Sequence, residues 1–332
     1  MILVTGGTGF IGSHLVDRLV SEGRPVRCLV RRSSAAGSLP PAIELAHGDL
    51  ESGAGLVEAL RGVDTVIHLA GVTKARTAAE YYRGNAVATV NLLGAASLLG
   101  APDSIGKFVH VSSLAAAGPS AADRPLTEAD EPNPISHYGR SKLAGEGAVR
   151  NSPLCAKAVI VRPPVVYGPR DRDVYQVFRT VARGWMPRIG TAPRQFSHVY
   201  VGDLVDGLIA AADCTNASIG AGGRIFYLAN AAPVSWEEFG SVAARLMGRK
   251  MRTVAIPEKA AYVLALCAEW WTSLSGTPGI LSRDKVLEAC CAGWVCDPGR
   301  ARRELGFRAA TSLEDGLRRT LGWYKEAGWL QF

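Results

Sequence analysis

The first twelve residues constrain the fold more than any other stretch. Ile2 to Thr5 is a short apolar run suited to a buried strand, and Gly6, Gly9 and Gly12 follow at three-residue intervals. From Phe10 to Ser21 the pattern turns helical, with apolar side chains at Phe10, Ile11, Leu15, Leu19 and Val20. Strand, glycine turn and helix in that order make a cradle for phosphate. Glycine lets the turn close tightly and lets backbone approach the anion, and the helix amino terminus offers unpaired N–H groups and partial positive charge. Gly6, Thr8, Gly9, Phe10, Ile11 and Gly12 are therefore expected to hold the pyrophosphate of a dinucleotide. The spacing is Gly-x-x-Gly-x-x-Gly, not the Gly-x-Gly-x-x-Gly of simple dehydrogenases, and an ordinary glycine-rich turn is the competing explanation.

The alternation continues along the chain. Strands are expected at 26–30, 43–46, 65–69, 108–111 and 158–161, with helices at 56–60, 80–99 and 136–149. This describes an α/β, Rossmann-type doubly wound parallel sheet covered by helices on both faces. After Arg162 the chain becomes loop-rich through Pro163-Pro164 and Gly168-Pro169-Arg170-Asp171. A helix at 174–183, strands at 198–201 and 226–229 and a mostly helical remainder follow. We expect a dinucleotide-binding domain at 1–165, with 194–230 returning to it, and a smaller, mostly helical C-terminal substrate lobe from 166–193 and 231–332. Substrate should lie between them, at the sheet's carboxyl edge. The stretch 33–41 reads as the most flexible loop.

With 332 residues, 48% hydrophobic and 20% charged, the chain has the balance of a soluble globular protein of one large α/β unit or two lobes. The net charge of +7 comes from scattered arginines without interleaved aromatics, so no nucleic-acid surface is indicated, and a polyanionic small ligand is the simpler use. No apolar run reaches bilayer-spanning length and no secretion signal precedes the first strand, which points to a cytoplasmic location. Seven cysteines agree with a reducing compartment. Cys28, Cys155, Cys214 and Cys267 read as core residues. Cys290, Cys291 and Cys296 cluster without a nearby histidine, so no metal site is expected.

Cofactor choice rests on the end of the second strand. An acid about twenty residues beyond the glycines takes the ribose 2′-hydroxyl of NAD. Here the strand ends Arg31-Arg32-Ser33. Two guanidiniums suit a 2′-phosphate through charge-assisted hydrogen bonds, so NADP(H) is expected, with NAD(H) the alternative if both arginines are merely solvated. Asp49, ahead of Leu50, is either an acceptor for the adenine amino group or a plain turn aspartate. Ala70 and Gly71 follow Leu69 and are small, as close passage of backbone past a cofactor needs.

Tyr138 and Lys142 stand four residues apart in a helical stretch and share a face. A phenol with a pKa of about 10 is a poor base at neutral pH, and a nearby ammonium favours its anion. Lys142 is also placed to hold ribose hydroxyls. Ser113, after the fifth strand, brings a hydroxyl toward a substrate oxygen. Tyr138 would give the proton in reduction and take it in oxidation.

Seven stretches together carry a family resemblance over nearly the whole length. They are Val4-Thr5-Gly6-Gly7-Thr8-Gly9-Phe10-Ile11-Gly12, Gly48-Asp49-Leu50, His68-Leu69-Ala70-Gly71, Asn85 with Asn91-Leu92-Leu93, Val111-Ser112-Ser113, Tyr138-Gly139-Arg140-Ser141-Lys142, and Arg162-Pro163-Pro164-Val165-Val166-Tyr167-Gly168-Pro169. The chain resembles the extended short-chain dehydrogenases/reductases, the NAD(P)-dependent epimerase/dehydratase group. The resemblance implies Ser113, Tyr138 and Lys142 as the catalytic set. It also implies Asn85, Val111 and the turn from Pro163 to Val165 near the cofactor, and Arg194 and His198 in a stretch that faces substrate beside Ser113 and Tyr138. A homodimer through the Glu80 and Tyr138 helices is implied as well.

Departures from the group's pattern narrow the substrate. Sugar-nucleotide members carry Asn where this chain has Val165 and Thr where it has Ala115. Dehydratases place an acid just after the catalytic hydroxyl, where this chain has Leu114-Ala115-Ala116-Ala117. The run from Ser112 to Pro119 is more similar to the hydroxysteroid dehydrogenase and dihydroflavonol reductase branches, which act on bulky, apolar alcohols and ketones. The expectation is an NADP(H)-dependent oxidoreductase of a hydrophobic secondary alcohol or ketone. An NAD-dependent sugar-nucleotide epimerase/dehydratase and a non-catalytic dinucleotide-binding protein are the alternatives. His68, His110 and His198 read as satisfied core histidines. Trp270 and Trp271, with Tyr262, Leu264 and Leu266, form an apolar helix that is core, dimer contact, pocket lining or membrane contact. Trp323, Tyr324, Trp329 and Leu330 are expected to cover the lobe.

Overall fold

The computed structural model describes residues 1–33, 39–100, 103–190, 194–215, 224–275 and 283–332, and for 269–275 the backbone alone. Most of the loop expected at 33–41 and the side chains of Trp270 and Trp271 therefore lie outside the described residues. The chain alternates through β1 (Ile2–Thr5), α1 (Phe10–Ser21), β2 (Val26–Val30), β3 (Glu44–His47), α2 (Leu56–Leu60) and β4 (Thr65–His68). It continues with α3 (Ala78–Tyr82), α4 (Ala88–Leu98), β5 (Lys107–Val111), α5 (Leu114–Ala117), α6 (His137–Arg150) and β6 (Ala158–Val161). Shorter pieces come next: β7 (Val165–Tyr167), α7 (Tyr175–Ala182), β8 (Trp185–Ile189), β9 (Gln195–Phe196), β10 (His198–Tyr200), α8 (Val201–Asp213), β11 (Arg224–Phe226) and β12 (Val234–Ser235). The chain closes with α9 (Trp236–Leu246), β13 (Arg252–Ile256), α10 (Glu258–Ser275), α11 (Arg283–Cys290), β14 (Gly293–Trp294), α12 (Gly299–Glu304) and α13 (Leu313–Glu326).

Seven strands form one parallel sheet in the order β11-β6-β5-β4-β1-β2-β3. Side chains alternate across it. Ile2, Val4, Val109, Val111, Val159 and Val161 pack with Leu15, Val16, Leu204 and Leu208 of α1 and α8. Leu3, Phe108 and Ile160 pack on the other face with Leu56, Leu92 and Leu93 of α2 and α4. A strand covered on both faces must be apolar throughout, so these strands read as unbroken hydrophobic runs. The winding reverses between β1 and β4, and ligands of doubly wound sheets bind at the carboxyl ends beside such a reversal. Thr5 and His68 are in register there, with Oγ1 and Nδ1 2.7 Å apart.

Three expected elements differ in instructive ways. The helix expected at 80–99 is two helices joined by a π-turn at Arg83–Val87. That extra residue turns Asn85 inward, where its side chain bonds Val72 and Ser141. The strand expected at 198–201 stops at Tyr200 because Val201 opens α8. The strand expected at 226–229 ends at Phe226, and Tyr227, Leu228 and Ala229 are apolar because they are buried.

The smaller lobe has its own core of Tyr167, Phe178, Phe239, Leu317 and Tyr324, with Trp323 and Trp329 packed against it. It also holds two small sheets, β12-β9-β14 and β13-β8. Ala301 and Phe307, from a stretch that reads as lobe, pack instead with the core under the large sheet. Cys28 and Cys296 are buried, whereas Cys267, expected in the core, is exposed because Ala261 and Ala265 are the residues of α10 that face inward. No helix among the described residues is long and apolar enough to cross a membrane.

Candidate active site

The glycine loop makes the tight turn and close backbone approach that its spacing implies. Gly6 has φ of 73°, a left-handed conformation that glycine adopts without strain. A Cβ there would lie 2.8 Å from the Ala70 nitrogen, so the first loop and the loop after β4 touch through backbone. A Cβ on Gly12 would collide with the Gly6 carbonyl. Gly9 caps α1 without a side chain, and the first turn of that helix carries no acid. Thr8 and Gly9 are exposed beside half-buried Phe10 and Ile11. Open backbone donors and no competing carboxylate fit the phosphates of a dinucleotide.

The other expected cofactor residues surround this edge. Arg31 and Arg32 follow β2, are exposed, and have no ion-pair partner among the described residues. Asp49 uses Oδ1 to accept from the N–H groups of Glu51 (2.7 Å) and Ser52 (3.1 Å), the turn role that its spacing allowed. Leu50 is half-buried and its carbonyl accepts from Asn91. Leu69 and Ala70 are half-buried and Gly71 is exposed. Asn85 braces the loop after β4: Oδ1 accepts from Val72 N–H (2.8 Å), and Nδ2 donates to the Val72 carbonyl (3.0 Å) and the Ser141 hydroxyl (2.9 Å). Val111 ends β5, Pro163 is buried with its carbonyl accepting from Leu114 N–H, and Val165 opens β7.

Tyr138 lies in the first turn of α6. Ser136 caps that helix by accepting from Gly139 N–H (3.1 Å). A Cβ on Gly139 would run into the Ala115 carbonyl, so only glycine lets α6 lie this close to α5. The approach brings Tyr138 to Ser113, which caps α5 by accepting from Ala115 N–H and whose hydroxyl acts on the phenol. Burial raises the Tyr138 pKa, while the Ser113 hydroxyl and the charge of Lys285 lower it. Sequence points to Lys142 for this effect, and Lys285 adds a cation from a distant segment. The Lys142 ammonium is buried, donates to the Val111 carbonyl at 2.7 Å, and is pushed by burial down to about 8, with Glu146 opposing. Its Nζ lies 3.5 Å from where a Gly71 Cβ would stand, which places it between α6 and the loop after β4.

The cation beside Tyr138 comes from the small lobe. Lys285 of α11 has Nζ 5.9 Å from the centre of the phenol ring. One residue earlier, Asp284 accepts from His137 N–H at 2.7 Å and so binds a free donor of α6. Both residues are distant in sequence from the Tyr138 motif, and no local pattern marks them.

A buried ion pair supports the other side of α6. Arg162 donates to both carboxylate oxygens of Glu146, at 2.8 and 2.7 Å, and both side chains are fully buried. Ser112 also donates to Glu146, at 2.5 Å, which ties the residue before Ser113 to α6. His68 is satisfied as expected, by Thr5 and Thr89, and burial holds its pKa down at about 3. His110 and His198 differ from expectation: they are buried, but their ring nitrogens have no hydrogen-bond partner among the described residues. They are held neutral by desolvation and packed as aromatic rings, His198 5.8 Å from Tyr167. Arg194, expected to face substrate, is committed elsewhere. It donates to the carbonyls of Ile189 (2.8 Å) and Ala289 (2.6 Å) and to Glu258 (2.6 Å), joining β8, α10 and α11.

Comparison with known proteins agrees with this geometry. Residues 2–225 match the family described as NAD dependent epimerase/dehydratase. A ceramide reductase of Caulobacter vibrioides is 32% identical over 99% of this chain and 96% of its own length. A 4-hydroxy-2-methyl-3-oxo-4-farnesyl-3,4-dihydroquinoline-1-oxide ketoreductase of Stigmatella aurantiaca is 30% identical over 95% of this chain and 93% of its own. Among solved structures, MoeE5 in complex with UDP-glucose and NAD superposes with a TM-score of 0.77 and 28% identity, covering 98% of this chain and 99% of that one. The chain belongs to the NAD dependent epimerase/dehydratase family and is an NAD(P)-dependent enzyme of the extended short-chain dehydrogenase/reductase type.

Proposed function

We propose that the enzyme reduces a ketone on a large apolar molecule to a secondary alcohol, with NADPH as the reductant. One observation carries this reading: the close approach of α6 to α5 brings Tyr138 and the Ser113 hydroxyl together at the sheet edge that also holds the glycine loop, and no carboxylate follows Ser113 before Gly118. Gly6, Gly9, Gly12 and the α1 amino terminus would hold the pyrophosphate, Arg31 and Arg32 the 2′-phosphate, and Lys142 the ribose. When bound, the nicotinamide supplies the hydride. Ser113 donates a hydrogen bond to the substrate carbonyl and stabilises charge growing on its oxygen. Tyr138 gives that oxygen its proton, and in the reverse direction takes it back. Lys285 limits the cost of the phenolate left behind.

The apolar substrate is supported by Val165 and Ala115, which replace the polar residues of sugar-nucleotide members, and by two relatives, one named a ceramide reductase and the other a ketoreductase of a farnesylated dihydroquinoline oxide. The deciding experiment is NADPH oxidation by the purified protein with long-chain 3-oxo lipids and UDP-sugars side by side. Ketone-dependent oxidation, abolished in Tyr138→Phe, supports the reading. Interconversion of UDP-sugars with tightly held NAD and no net redox turnover would replace it with an epimerase.

A homodimer and a cytoplasmic location belong to the same reading. Tyr82, Val87, Val90 and Leu98 are all exposed along α3, the π-turn and α4, and Leu98 is 78% exposed. A second copy pairing through these helices and α6 would cover that stripe.

A further inference from the structure

The small lobe's β8–β13 sheet buries Met186 of β8 but leaves Trp185, Pro187 and Arg252 to Ala255 exposed. Met186 is buried, its sulfur 3.1 Å from where a Cβ on Gly240 would stand. Side chains alternate along a strand, so Trp185 and Pro187 point the opposite way. Register sets Arg252 beside Trp185 and Val254 beside Pro187. Trp185 is 51% exposed and Val254 41%. The chain then turns through Pro257 into α10, which rests on Ile189 and Ile256 through Ala261 and Ala265. The rest of those turns is apolar and bare, with Tyr262, Val263, Leu264 and Leu266 all exposed. Contiguous exposed apolar side chains of this size mark a contact surface.

Charge identifies the contact. Arg252 donates its N–H to the Gly184 carbonyl at 2.9 Å, and a Cβ on Gly184 would lie 3.2 Å from the Lys250 carbonyl. Arg183, Arg249, Lys250 and Arg252 therefore gather around Trp185, all exposed, and exposed Lys259 stands in the first turn of α10. None of the five has an acidic partner among the described residues. Nearby acids are engaged elsewhere: Glu237 by Arg188, Glu258 by Arg194 and Glu314 by Arg245. Open cations around a bare indole match a membrane interface, where basic side chains meet lipid phosphates and tryptophan sits at headgroup depth. A second copy fits poorly, because self-pairing would set these same cations against each other.

We propose that this face docks the enzyme on an anionic phospholipid bilayer, with Trp185, Val254 and the first turns of α10 entering the headgroup layer and Arg183, Arg249, Lys250 and Arg252 engaging phosphates. The test is co-sedimentation of the full chain with phosphatidylcholine vesicles, with and without phosphatidylglycerol. Binding requires neither cofactor nor ketone, so its failure leaves the reductase reading standing.

The expected result is binding only when phosphatidylglycerol is present, with release at high salt. Each cation near such a surface is worth about a fivefold change in partitioning, so Lys250→Glu with Arg252→Glu weakens binding by more than about tenfold. Trp185→Ser weakens it severalfold. Arg302→Glu with Arg303→Glu, the same charge change on exposed residues of α12, leaves it intact. Absent binding overturns the proposal, and so does equal loss in both double variants. A fall in solution mass on Trp185→Ser, with no vesicle binding by the parent, would assign the face to a second copy instead.

Discussion

At Tyr138, burial pushes the phenol toward its protonated form while Ser113 and Lys285 pull toward the anion. Removing the hydroxyl in Tyr138→Phe should lower kcat by about 10²- to 10⁴-fold, the usual worth of a positioned acid, with NADPH affinity unchanged by fluorescence titration. Lys285→Met should raise the phenol pKa, because the ammonium that favours the anion is gone. Alcohol oxidation needs that anion, so the acidic limb of its kcat/KM profile should move to higher pH, and Lys285→Arg should restore it. An unmoved limb would assign Lys285 to packing alone. Arg31→Ala with Arg32→Ala removes two charged donors, each worth about 1.5–3 kcal/mol to a phosphate. NADPH should then bind more than about tenfold weaker while NADH is unaffected. Parallel losses for both cofactors would mean that the arginines do not read the 2′-phosphate.

At the scale of elements, α6 depends on close approach and on a buried ion pair. Gly139→Ala would set a methyl against the Ala115 carbonyl, forcing α6 away from α5. Overpacking of this kind costs about 1–3 kcal/mol, and the drop in Tm should come with a larger loss of kcat, since Ser113 and Tyr138 sit on the two elements pushed apart. Glu146→Gln leaves the Arg162 charge buried and should destabilise by about 3–5 kcal/mol in urea unfolding. What could be read from sequence follows from range. The glycine cradle, α1 and the Tyr138–Lys142 pair are written in local spacing, and their elements stand within a residue or two of where that spacing puts them. The π-turn was hidden because it exists to seat Asn85 against Val72 and Ser141, contacts made by tertiary packing. Asp284 was hidden for the same reason, meeting His137 across 147 residues of chain. The partners of Arg194, in β8, α10 and α11, were hidden because position relative to a family motif does not reveal which acceptors surround a guanidinium.

For the whole molecule, Val90→Asp places charge in the exposed stripe of α4 and should convert a dimer to a monomer by analytical ultracentrifugation. A parent that is itself monomeric would remove the dimer proposal. Acid stability carries a separate signature. Burial holds His198 at about 4, whereas in the unfolded chain it takes a proton below about 6.5. Between those values the unfolded state binds the extra proton, so stability falls with falling pH by about 1.4 kcal/mol per unit from this group. His198→Leu should flatten the Tm profile across that window, and parallel profiles would contradict a neutral buried ring. Finally, the groups that tune the proton donor are divided between two bodies. The sheet brings Tyr138, and α11 of the lobe brings Lys285 and Asp284. If entry of a bulky ketone parts them, the phenol relinquishes its cation and the His137 N–H its carboxylate acceptor in one movement. Under the proposed chemistry such an enzyme would be armed only with its jaws shut, and idle protonation of the wrong carbonyl would be avoided by mechanics as much as by pocket shape.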